Sequence, residues 1–377
     1  MFTRHAIFFL FLLIGILPIS CHKTSTVEGN QFSYKDSVFT NYFVRKSGWV
    51  SGDGTYSIRL SDGNTLWLMG DSGIDGWKAP DSVRCLFQVR NCALIQSGND
   101  FTTLLDTSSN IKSFFQLAGM DQTKEWFWPL HGYQYQNTVY VFLNHIVYFN
   151  SGSLIQFKVK GQFLAKMNYA NGKISKITYA ALPFINEVTF GAQVLQDITQ
   201  NKIYMYGNKQ NGLAFDLYLA RADASNPLNT MEYYDNGVWT QSKTGVANIN
   251  KSYTVASEFS VSMIQNKYIL ITQQIGLSCN QGTEIYSFIS DSLQGEFTHQ
   301  KMIWKVDDLF ENKTLWTYGG KGHPQFILNN ELLISYNVNG IGSCGNVCIG
   351  ASVLTGHMPA YVYRPKFVRV PLKLIFQ

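Results

Sequence analysis

The sequence predicts an all-β protein, a five-bladed β-propeller with about four antiparallel strands per blade. Three observations carry that expectation. The first is composition. Of 377 residues, 15% are aromatic and only 15% are charged, with 31 glycines, which suits many strands joined by tight turns better than helices rich in Ala, Glu and Lys. The second is a recurring apolar strand that ends in a small or polar residue. It appears as Leu66-Trp67-Leu68-Met69-Gly70, Val139 to Asn144, Ile203 to Gly207, Tyr268 to Thr272 and Leu332 to Asn337. The third is spacing: the markers Trp67, Tyr140, Tyr204, Ile269 and Leu333 stand 73, 64, 65 and 64 residues apart. Tandem β-sandwiches also place a strand every ten residues or so, but a whole unit recurring at one interval is the mark of a repeat architecture.

Taken in chain order, Arg4 and His5 precede an apolar run from Ala6 to Leu17, then Pro18-Ile19-Ser20-Cys21. A charged start, a hydrophobic stretch too short for a bilayer and small residues at its end read as a secretory signal. Because it ends on a cysteine, the segment resembles a bacterial lipoprotein signal, with Cys21 lipidated; an ordinary signal with Cys21 incidental is the alternative. The expected divisions are a signal over 1–21, a polar tether over 22–37 and the propeller over 38–377. That places the chain in a bacterial cell envelope, at the periplasmic or outer-membrane surface, as a monomer held to the membrane by its lipid alone. In such an oxidising compartment Cys85 with Cys92, and two of Cys279, Cys344 and Cys348, are expected disulfide partners. Lys and Arg exceed Asp and Glu by 30 to 25 but are scattered, so no nucleic-acid partner is implied.

Within unit one, Thr55 to Leu60 leads through Ser61-Asp62-Gly63-Asn64 into Thr65 to Gly70. Asp-Gly suits a two-residue hairpin turn, which would set Leu60 opposite Thr65 and Gly54 opposite Asp71. Gly191 to Leu195, Phe259 to Met263 and Gln325 to Leu328 are the expected first strands of units three to five. The outer strands are expected at Asp216 to Arg221 and Met231 to Tyr234 in unit three, and at Glu284 to Ile289 and Phe297 to Trp304 in unit four. Unit one is longer through Gly73 to Arg90, a candidate rim loop.

First strands line a propeller's channel and run the same way, so residues at their starts meet at one mouth. Those residues are Asp53, His131, Glu187 or Thr189, Glu258 and His323, and Asp71 returns to the same end. Trp126 and Trp128 precede His131, Trp316 and Tyr318 precede His323, and Trp77 follows Asp71. Flat aromatic faces stack on the C–H faces of sugar rings, and neighbouring carboxylates bind hydroxyls. Serine and cysteine nucleophile motifs, phosphate-cradling glycine loops and zinc-ligand spacings are absent from the sequence.

The stretch Trp49 to Ser57, continuing through Leu66 to Ser72, resembles bacterial propeller domains of unknown function, the DUF4185/DUF5005-like group. So do Phe190 to Val194, Ser257 to Val261, His323-Pro324 and Tyr363 to Phe367. These domains are akin to five-bladed arabinanases and β-xylosidases, and one branch contains endo-D-arabinanases. The resemblance implies a carbohydrate-active protein whose partner is a polysaccharide or oligosaccharide. It implies Asp53 as base or nucleophile; at the same mouth, position makes Glu258 the candidate acid and Asp71 an orienting group. His131, His323, Trp126, Trp128 and Trp316 would contact substrate, and the two imidazoles are also open to holding a structural divalent cation. A non-catalytic sugar-binding lipoprotein and an interaction scaffold are the competing classes, since fold alone does not fix function.

Overall fold

Five antiparallel sheets stand around one axis, each built from the stretch of chain that one repeat marks out. The structure is a computed structural model and describes residues 31–105, 111–149, 156–242, 245–276, 281–340, 347–348 and 355–377. Blade one comprises Tyr56–Arg59, Thr65–Met69, Cys92–Ser97 and Asp100–Leu104. Blade two comprises Glu125–Tyr135, Thr138–Tyr148, Phe157–Ala170 and Lys173–Leu182. Blade three has Thr189–Asp197, Lys202–Asn211, Ala214–Asp223, Glu232–Asp235 and a fifth strand, Val238–Thr240. Blade four comprises Phe259–Ile264, Lys267–Gln273, Glu284–Ser290 and Thr298–Lys305. Every marker of the repeat falls on the second strand of its blade. These strands are covered by neighbouring blades on both faces, so they read as unbroken apolar runs; Thr65–Met69 is buried at all five positions.

Blade five is closed by both ends of the chain. Its order from the channel outward is Trp316–Leu328, Glu331–Asn339, Lys366–Pro371 and then the N-terminal Tyr34–Lys35. Tyr34 pairs with Arg369 and Lys35 with Val368. Asp36 then caps a short helix, Ser37–Tyr42, accepting from Phe39 N at 2.8 Å, while its other oxygen takes the Arg369 guanidinium at 2.8 Å. The propeller therefore starts inside the segment expected to be a tether. Phe39 and Phe43 follow into a cluster with Trp49, Trp67 and Phe367, between the fifth blade and the first. Cys21 lies outside the described residues.

The innermost strands contact one another in a ring, the fifth closing on the first. They enclose a channel cavity of about 430 Å³ lined from all five blades. The rim loop of blade one is folded: Ser72–Ile74 pairs with Trp49–Gly52, and Ser82–Arg84 pairs with His357–Pro359 from the far side of the closure. Cys85 at its end is bonded to Cys348, across 263 residues of chain. This corrects the expected Cys85–Cys92 pair. Cys92 begins the third strand of blade one, paired with Met69, and is buried as a free thiol in the cluster that holds Trp67 and Leu94. Cys279 and Cys344 lie outside the described residues.

The first hairpin differs from its expected register by one residue, and the difference matters. Arg59 pairs with Thr65, Ile58 with Leu66 and Ser57 with Trp67. Leu60 N donates to Asn64 O at 2.8 Å, so the turn holds three residues, with Gly63 at φ +86°, the left-handed position such loops reserve for glycine. The same register resumes further up, where Gly52 pairs with Ser72 and Ser51 with Gly73. Asp53 consequently stands opposite Asp71, with Gly70 N donating to Asp53 O at 2.8 Å.

Candidate active site

Asp53 occupies the break between Trp49–Gly52, which pairs with the rim loop, and Tyr56–Arg59, the inner strand of blade one. Gly70 faces it, and any Cβ there would collide with the Asp53 carboxylate. Tyr318, from the inner strand of blade five, donates to Asp53 Oδ2 at 2.6 Å. Tyr363 reaches the same oxygen at 3.4 Å and the Asp71 carbonyl at 3.0 Å. Asp71 Oδ1 accepts from Trp128 Nε1 at 3.1 Å, and its Oδ2 lies 3.4 Å from Arg90. Arg90 is itself laid over the Trp126 ring, 3.8 Å from the centroid.

Burial raises both carboxyl groups. Asp53 is pushed up to about 7, by desolvation first and the Asp71 charge second, with Glu258 adding and the Tyr318 hydroxyl opposing. Asp71 is pushed up to about 6 by desolvation, against the pull of Arg90 and Trp128. Charge on Asp71 opposes charge on Asp53, which favours the pair keeping a proton. Glu258 sits at the same mouth but is committed differently. It is ion-paired with Lys321, whose ammonium is buried and lies over the Tyr56 ring.

A family model described as "Domain of unknown function (DUF5005)" matches residues 36–372. The chain belongs to the DUF5005 family. No curated protein matches it. Among solved structures it is similar to a candidate hydrolase from Bacteroides ovatus at 20% identity and TM-score 0.65, covering 90% of each chain. An exo-1,5-α-L-arabinanase from a bovine ruminal metagenomic library aligns at 8% identity and TM-score 0.46, over 86% of this chain and 93% of that one. The GH43 protein BlXynB from Bacillus licheniformis aligns at 11% identity and TM-score 0.46, over 90% of this chain and 59% of that one. The likeness to the Bacteroides structure establishes a shared fold.

In this DUF5005 protein the structure brings Asp53, Asp71, Glu258, Trp126, Trp128 and Trp316 toward one mouth, but His131 and His323 sit deeper. The inner strands of blades two and five begin at Glu125 and Trp316, earlier than expected, which carries both imidazoles down into the channel. Their nitrogens are already engaged. His131 Nε2 meets Ser57 O at 3.0 Å, and Val194 N donates to Nδ1 at 3.3 Å. His323 is held between Ser57 Oγ at 2.6 Å and Ser335 Oγ at 2.8 Å. Desolvation lowers His131 to about 4 and His323 well below its usual range. These rings knit blades one, two, three and five together and have no nitrogen left for a sugar or a cation. Among the described residues no three His, Cys, Asp or Glu side chains gather as a metal site, so the donor set does not fit the divalent cation considered from sequence.

The tryptophans divide as well. Trp128 is half-buried and committed to Asp71, whereas Trp126 is buried beneath Arg90 with its Nε1 unpartnered. Trp316 donates to Gly276 O at 3.0 Å and packs on Tyr318, with ring centroids 5.4 Å apart. Glu187 is exposed away from the cluster, and Thr189 is buried on Asn208 at 2.6 Å. Sequence reasoning placed Tyr318 among the aromatics at the mouth but gave it no role on an acid, and it did not single out Arg90, Lys321 or Tyr363. The nearest signal lay in their positions, close before His323 for two of them and inside the family-like Tyr363 to Phe367 stretch for another.

Proposed function

We propose that this DUF5005 protein is a glycoside hydrolase acting on a polysaccharide at the channel mouth. The observation that supports it best is the Asp53–Asp71 pair: two facing acids, both shifted toward neutrality, walled by aromatic rings. Glycosidic cleavage needs one carboxylic acid and one carboxylate flanking the bond. Arg90 and the Trp128 N–H favour charge on Asp71, so the shared proton belongs to Asp53. Asp53 would then protonate the glycosidic oxygen as the C–O bond breaks. Asp71 would bond to the anomeric carbon or take a proton from the water that does. These roles differ from those expected from sequence, where Asp53 is the base or nucleophile and Glu258 the acid. Glu258 is ion-paired with Lys321, and its charge acts here through its field on Asp53.

Incubation of the protein with arabinan, xylan and related polysaccharides, followed by analysis of reducing ends and products, tests this reading. Release of oligosaccharides or monosaccharides is expected from at least one. Binding without any product would instead favour a sugar-binding protein with the same mouth.

We further propose that the mature chain is a cell-envelope lipoprotein anchored through Cys21. The charged, apolar and small-residue order of residues 4–21 supports this. In a bacterial host the wild type is expected to enter the detergent phase on extraction, and Cys21→Ala to stay in the aqueous phase. Equal partitioning of the two would end the anchor proposal.

A further inference from the structure

The second and third strands of blade two reach the mouth at their paired ends, where Tyr148 stands opposite Phe157. Alternate residues of a strand share a face, and so do cross-strand partners. Asn144, Ile146 and Tyr148 therefore share one face with their partners Trp128, Trp126 and Phe157. Ring contacts agree: Trp128 and Phe157 lie 4.7 Å apart between centroids, Trp126 and Trp128 5.8 Å, and Trp126 and Phe157 6.4 Å. The face thus presents Trp128 beside Asp71 and, at the level of the last strand pair, Phe157 and Tyr148. From the level of Asn144 to that of Tyr148 it extends about 13 Å, at roughly 3.3 Å per residue.

The outer rings of this wall are open to solvent, Phe157 at 39% and Tyr148 at 51% exposure. Neighbouring aromatics left uncovered beside a cleft mark a binding surface, and the wall's own make-up identifies the occupant. It is continuous with the acid pair, because Trp128 both hydrogen-bonds Asp71 and packs on Phe157. Its exposed rings are aromatic. Tyr148 donates to Gln156 at 3.0 Å, which fixes the phenol and leaves its oxygen able to accept from a hydroxyl. Flat apolar faces edged by hydrogen-bonding groups match the alternation of C–H and O–H around a sugar ring.

We propose that this wall is an extended sugar-binding surface that holds several units of a polysaccharide beyond the cleaved bond, so that the substrate is a polymer rather than a short glycoside. The proposal rests on the reading of Asp53 and Asp71 as a glycosidase pair. Phe149 supplies an internal control. It follows Tyr148, points to the other face under Lys158 (4.5 Å from its centroid) and is 46% exposed.

The test measures binding by calorimetry in an Asp53→Asn background, with arabinan, xylan and defined-length oligosaccharides of each. Adding Tyr148→Ala with Phe157→Ala is expected to weaken binding of the polymer and long oligosaccharides roughly tenfold or more. Disaccharide binding should be unchanged, and Phe149→Ala should leave every ligand unaffected. Phe157→Leu, which keeps apolar bulk without a flat ring, should reproduce the loss in a folded protein even if the double variant folds poorly. An unchanged polymer affinity, or an equal loss for disaccharide and polymer, would overturn the wall while leaving the acid pair standing. If no saccharide binds any of the proteins, the reading of the mouth fails, and the wall with it.

Discussion

Replacing Asp53 with Asn is expected to cut turnover of the natural polysaccharide by roughly 10²- to 10⁴-fold, the usual contribution of a positioned acid or base. Asp71→Asn is expected to do at least as much. The two losses should differ in kind. An aryl glycoside with a good leaving group needs little protonation, so Asp53→Asn should keep much of its rate on such a substrate. Asp71→Asn should lose activity on both, because every substrate needs the nucleophile or the activated water. The contrast follows from the surroundings of the pair, since Arg90 and Trp128 stabilise charge on Asp71 while Asp53 is the more strongly raised. Should Glu258→Gln, rather than Asp53→Asn, show the leaving-group pattern, the acid is Glu258 and not Asp53. Equal, substrate-independent losses in both Asp variants would remove the division of roles altogether.

The repeat interval alone was enough to count the blades, because each second strand is covered on both faces and cannot hide its apolar run among polar residues. Both ends of blade five were harder to read. Tyr34–Lys35 is only two residues long, and both are exposed, so the strand that completes the ring carries no alternation to see. The acid pair was half visible. Asp53 and Asp71 stand out in Gly-Asp-Gly and Gly-Asp-Ser, but an Asp62-Gly63 two-residue turn puts them out of register, and only the three-residue loop sets them face to face. Asp-Gly serves both turn types, so residue identity could not decide between them. The histidines misled for a related reason. Inner strands of 11 and 13 residues in blades two and five contain bulges opposite Phe142 and between Tyr318 and Lys321, and bulges shift a side chain's level without changing the apolar pattern. Arg90 arrives from a loop and Tyr363 from the end of a single 3-10 turn, Ala360–Tyr363, where no periodicity predicts direction.

Activity is expected to peak where one acid of the pair is protonated and the other charged, close to pH 6–7, given values of about 6 for Asp71 and about 7 for Asp53. It should fall on the acid side as Asp71 takes a proton and on the alkaline side as Asp53 loses one. Two substitutions should move the alkaline limb in opposite directions. Tyr318→Phe removes a hydrogen bond that favours the Asp53 carboxylate, so the limb should move up by about one pH unit. Glu258→Gln removes a negative charge that opposes ionisation and frees the Lys321 charge that favours it, so the limb should move down. The same shifts fix the sign of stability. Both acids keep protons in the folded protein that the unfolded chain releases near its ordinary value of 3.8. Their contribution is fully present below about pH 4 and is lost as pH rises through 6 and 7. Asp53→Asn cannot ionise, so its melting temperature relative to wild type should climb steadily between pH 4 and pH 8. A difference that stays flat across that range would mean that Asp53 is an ordinary ionised carboxylate, and an ordinary carboxylate at this position could not serve as the proton donor.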